Sequence, residues 1–72
     1  MKIKVTVVPE CIWDKSDVEF EITPVETIEK VRNVTNTDTN TYTLYVDSSY
    51  PPQTVAKNIR FIPQIETAEP VE

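Results

Sequence analysis

The side chains able to do covalent or acid–base chemistry in this chain are few, and they lack the partners such chemistry needs. Cys11 is the only cysteine, and it lies in Pro9-Glu10-Cys11-Ile12-Trp13-Asp14. Carboxylates flank it, rather than the cations that activate a thiolate. A small apolar filler is the expected role for it. There is no histidine, so the commonest general base is missing. There is no glycine either. Phosphate-cradling loops, dinucleotide fingerprints and nucleophile elbows all depend on glycine. Asp14, Asp17, Glu19 and Glu21 could work as paired carboxylates. A glycosidase-like pair, however, needs a substrate groove that a chain of 72 residues can barely build. The same acids lack EF-hand spacing, and no Cys/His pattern for zinc is present. The expectation is a protein that is not an enzyme and carries no cofactor and no metal.

What remains is recognition. The formal net charge is −5, which argues against a general nucleic-acid binder, since that needs a basic face. It argues equally against an anionic membrane surface. The charge is unevenly placed: Glu10 to Glu29 holds seven acids and one base, whereas Lys30 to Arg60 holds four bases and two acids. An acidic stretch of this kind suits a basic surface on another protein. Trp13 stands at its start, either as a lid on a small core or as an exposed anchor. Tyr45 and Tyr50, the latter beside Pro51-Pro52, form a second aromatic patch. The expected partner-binding residues are therefore Trp13, Asp14, Asp17, Glu19, Glu21, Tyr45 and Tyr50.

These residues need elements to position them. Lys2 to Val8, KIKVTVV, alternates, with Ile3, Val5 and Val7 on one face, as a half-buried strand does. VEFEI, residues 18–22, repeats the pattern, placing Val18, Phe20 and Ile22 inward. Pairing of these two strands would set Lys2 and Lys4 near Glu19 and Glu21. Thr23-Pro24-Val25-Glu26 has the form of a capping box with proline at the first helical position. It predicts a short helix over 24–33. The competing reading is a long hairpin from Val31 to Val46 centred on Asp38, since the stretch is rich in Val and Thr. TYTLYV, residues 41–46, predicts a strand with Tyr42, Leu44 and Val46 on one face. Pro51-Pro52 ends regular structure, and 54–58 has room for one helical turn. NIRFIPQI predicts the last strand, at an edge because of Pro63.

The turn before Thr41 must be made without glycine. Asn36, Asp38 and Asn40 are the residues able to supply it, since their short side chains bond the local backbone and tolerate the left-handed region. The flanking Thr35, Thr37, Thr39, Thr41 and Thr43 are expected to line a solvent face. An ice-binding array would need this pattern to repeat, and here it occurs once.

The order strand, strand, capped helix, strand, strand is that of the β-grasp fold. The first half, MKIKVTV and then VEFEITPVETIEKVR, resembles ubiquitin-like domains through Glu21, Pro24, Thr27-Ile28-Glu29 and Val31. The resemblance covers less than half the chain and implies topology alone. With no glycine after the helix and no di-glycine tail, a conjugatable modifier is not expected.

The expected fold is α+β, a β-grasp-like ββαββ with a four-stranded mixed sheet and one short helix. The alternative is an all-β small barrel or sandwich. Residues 1–65 are expected to form a single small domain, and residues 66–72 an acidic, frayed C-terminal tail. The lone free cysteine and the absence of an apolar leader point to the cytoplasm, that of the host cell if the source is viral. The expected function is non-enzymatic protein binding, by an inhibitor or accessory factor of the kind viruses and mobile elements encode. A core this small gains from association. A homo-oligomer, either a self-assembling virion-type subunit or a sequestering oligomer with a small-ligand pocket near Lys57 and Arg60, is therefore the alternative.

Overall fold

The computed structural model describes residues 1–71. Six elements follow in order: β1 (Lys2–Val7), α1 (Lys15–Ile22), β2 (Lys30–Asp38), β3 (Thr41–Asp47), α2 (Pro52–Ile59) and β4 (Ile65–Val71). The strands form one open antiparallel sheet in the order β2-β3-β1-β4. β3 lies between the two strands that α1 connects, and β1 between the two that α2 connects. This is the element order of the split β-α-β, ferredoxin-like arrangement. The class is α+β, but neither the ββαββ order nor the mixed sheet of a β-grasp is present, and there are two helices instead of one.

The inner face of the sheet carries the core. Ile3, Val5 and Val7 of β1 pack with Tyr42, Leu44 and Val46 of β3, and with Val34, Ile65 and Ala68 of the edge strands. Both helices cover this face. α1 contributes Val18 and Ile22, and α2 contributes Val55, Ala56 and Ile59. Burying an aliphatic side chain of this size stabilises the fold by about 1.5–3 kcal/mol. The opposite face is polar and open. Across it run Asn33, Tyr45, Lys2 and Val71 in one row, then Thr35, Thr43, Lys4 and Glu69, then Thr41, Thr6 and Thr67. The two lysines therefore stand beside Glu69 and the β3 side chains. The pairing with Glu19 and Glu21 expected from a first hairpin does not occur.

Four segments differ from the sequence expectation, each for a local reason. Residues 18–22 are helix, because Asp14 caps them. Its carboxylate accepts from the Asp17 amide at 2.9 Å and the Asp17 carboxylate accepts from the Asp14 amide at 3.1 Å, a reciprocal capping box. Thr23-Pro24 ends that helix and starts nothing. The Thr23 amide and hydroxyl both donate to the Glu19 carbonyl, and Pro24 cannot continue the ladder. Residues 24–29 form turns and 30–38 form a strand, so the long hairpin is the reading that holds over Val31–Val46. At the other end, Pro52 occupies the first turn of α2, where its missing donor costs nothing. The last strand is Ile65–Val71, later than expected, so residues 67–71 pair with β1 where a tail outside the sheet was expected. Pro70 is tolerated because β4 is an edge strand.

The turn between β2 and β3 uses all three expected residues. Asn40 takes a φ of 59°. The Asn36 carboxamide donates to the carbonyls of Asp38 and Thr41, and the Asp38 carboxylate accepts from the Thr39 amide.

Candidate interaction surface

α1 is built to show one face to solvent. Val18 and Ile22, four residues apart, turn to the core. Side chains between them in the helical turn point away. Phe20 is among them and is 76% exposed. Ser16, Asp17, Glu19 and Thr23 around it are exposed, and Glu21 is half-exposed. Ser16, Glu19, Phe20, Glu21, Thr23 and Pro24 together line a shallow groove. Among the described residues the only ion pair is Arg32 with Asp47, at 2.8 Å. Lys15 is the one base on α1, and it forms no ion pair with these carboxylates.

α2 has the opposite character. Between Tyr50 and Gln64 there are two cations, Lys57 and Arg60, and no acid. Lys57 and Arg60 are both exposed. The Arg60 Nε also donates to the Ala68 carbonyl at 2.9 Å, which ties the end of α2 to β4. Large apolar side chains are exposed at the helix ends. Ile12 is 95% exposed just before α1, Tyr50 is 50% exposed just before α2, and Phe61 is 77% exposed just after it.

The expected site residues separate into three groups. Asp14, Asp17, Glu19 and Glu21 come together on α1, with Asp14 and Asp17 also serving as its cap. Trp13 is half-buried and packs against the core, and its carbonyl accepts from the Tyr42 hydroxyl at 3.0 Å. Tyr50 precedes α2, whereas Tyr45 stands on the opposite, open face of the sheet. Phe20, Ile12 and Phe61 were missed. For Phe20 the signal existed: the Asp14/Asp17 spacing marks a helix start, and a helix carrying Val18 and Ile22 inward places residue 20 outward.

Cys11 is half-buried and packs against the core as a filler. Among the described residues no group of three or more Asp, Glu, Cys or His side chains is placed to hold a metal. No helix there is long and apolar enough to cross a membrane. No known protein family matches the chain, and no curated protein or solved structure is significantly similar to it.

Proposed function

We propose that this protein is a non-enzymatic protein-binding module, which acts as an inhibitor or accessory factor by occupying a basic surface on another protein with the outer face of α1. The observation that carries this reading is Phe20, an exposed aromatic side chain set among carboxylates that form no ion pair among the described residues. Aromatic side chains enclosed at a contact supply much of its energy. Charged residues around them supply steering and choice of partner. A helix presenting an anchor to a groove is a common recognition mode.

The sheet edges support the same reading by what they offer a neighbour. β2 is interrupted by bulges at Arg32 and Thr37 and carries Lys30, Arg32 and Asp38. β4 is interrupted at Glu66 and carries Pro70. Bulges, charges and proline are the devices that keep an edge from adding another strand, so the helix layer is the better contact surface.

The test is retention of a partner by the immobilised protein, wild type against Phe20→Ser and against Glu19→Lys with Glu21→Lys. A partner held by wild type, lost by both variants and weakened by salt supports the proposal. Equal retention by all three, with no salt dependence, rejects α1 as the surface.

A further inference from the structure

The helix layer carries two complementary halves, and their placement has a geometric consequence. β1 and β2 each run antiparallel to β3, so they are parallel to each other, and β3 and β4 are parallel for the same reason. Each helix must then run back against the strand before it. Because β1 and β3 are antiparallel, α1 and α2 are antiparallel as well. The end of α1 therefore lies level with the start of α2, and the start of α1 with the end of α2.

We infer that a second copy of this chain is a partner of the helix layer, in a two-fold dimer that sets the acidic α1 of each copy against the basic α2 of the other. The inference rests on reading that layer as a contact surface, and it names one occupant of it. Two kinds of two-fold axis bring helix layers face to face. An axis across the helices stacks α1 on α1, acid on acid. An axis along and between them stacks α1 on α2 twice, since a two-fold contact repeats itself. The second arrangement places Asp17, Glu19 and Glu21 of each copy against Lys57 and Arg60 of the other.

The same axis pairs the exposed apolar side chains. Phe20, at the end of α1, meets the Tyr50-Pro51-Pro52 start of α2 in the other copy. Ile12, before α1, meets Phe61, after α2. Of the five large hydrophobic side chains left exposed, these four stand on a helix or within three residues of one, and Tyr45 is on the open face of the sheet. The two-fold contact covers the four together with the charged helix faces, and apolar area removed from water favours association. A core this small has much to gain from covering it.

Sedimentation equilibrium tests the inference with two charge-reversed variants. One is Glu19→Lys with Glu21→Lys. The other is Gln53→Glu with Lys57→Glu, chosen to leave the Arg60 hydrogen bond in place. Circular dichroism and thermal melting establish that both are folded. The expected result is a wild-type dimer whose association weakens by about tenfold or more between about 0.05 M and 0.5 M salt. Each variant alone should be monomeric. An equimolar mixture should dimerise again, because in the mixed pair both contacts regain opposite charges. A monomeric wild type at about 0.5 mM, variants that dimerise as wild type does, or a mixture that stays monomeric would each overturn it. A monomeric wild type would leave the capture of a different basic partner by α1 to be decided by the retention experiment above.

Discussion

The Tyr42 hydroxyl donates to the Trp13 carbonyl at 3.0 Å and ties the start of β3 to the residue before the cap of α1. Tyr42 is buried, and Trp13 packs on the core beside it. The bond holds the loop so that Asp14 reaches the first turn of the helix. Tyr42→Phe should therefore destabilise the fold by about 1 kcal/mol, the net worth of one intramolecular hydrogen bond. It should also raise amide exchange in residues 11–17 more than in β1 or β3. Urea unfolding with site-resolved exchange measures both effects.

The same phenol makes stability depend on alkaline pH. Burial, and then the negative charges of Asp14, Cys11 and Asp17, raise its pKa above the ordinary value of 10.0. In the unfolded chain the proton leaves near the ordinary value, while in the folded protein it stays. Above about pH 10 the unfolded state holds fewer protons, so stability must fall as pH rises. Below that range this group contributes no slope. In Tyr42→Phe the alkaline decline should be shallower than in wild type when unfolding free energy is followed between about pH 9 and pH 11.

Asn40 is the only described non-glycine residue with positive φ. Its amide bond geometry also sets the Val7 contact, since the Val7 amide donates to the Asn40 carbonyl at 2.8 Å. Replacing asparagine with alanine forces a Cβ into the left-handed region without a polar side chain to ease it. Asn40→Ala should cost about 1 kcal/mol, whereas Asn40→Gly should be nearly neutral or slightly stabilising. Equal destabilisation by both substitutions in thermal melts would show that the carboxamide, and not the φ, is what the turn requires.

Period-two patterns were legible in β1 and β3, the two central strands, and not in β2 and β4, whose bulges break the alternation. Ile3, Val5 and Val7 and Tyr42, Leu44 and Val46 are the core residues so marked. The glycine-free turn was legible too, because only Asn and Asp could make it. The helices were not, and Phe20 shows why. A ring exposed at the outer face of α1 completes an apparent alternation with Val18 and Ile22, and imitates a strand. Proline added a second ambiguity. Pro24 stops a helix and Pro52 starts one, and the residues beside them are compatible with either role. The acidic surface was readable as composition. The exposed Phe20 within it was legible only through the Asp14/Asp17 spacing, because the apparent alternation set that residue inward.

Thr27 is buried with its hydroxyl unpaired, while its carbonyl accepts from the Ser48 hydroxyl. A buried hydroxyl without a partner carries a desolvation cost that valine, close to it in shape, does not. Thr27→Val should raise unfolding free energy by about 1 kcal/mol, a shift of several degrees in melting temperature for a domain of this size. The Ser48 contact uses the backbone and survives the change. Destabilisation on chemical denaturation would mean that the hydroxyl is satisfied in solution by a bound water.

Phe20 and Ile22 are two residues apart on one helix and should respond to truncation in opposite ways. Ile22 is fully buried. Ile22→Ala removes packed methylenes and leaves a cavity, at a cost of about 2–5 kcal/mol. Phe20 faces solvent, and surface substitutions away from special features usually fall within about 0.5 kcal/mol. Phe20→Ser should therefore melt with wild type when both are dilute enough to be monomeric. At high protein concentration wild type should gain stability through association, because a partner that binds only the folded state raises it by mass action. Phe20→Ser should show little of that gain. Melting curves across about a hundredfold range of concentration separate the two roles, since a core defect shifts every curve equally and a lost contact removes only the concentration dependence.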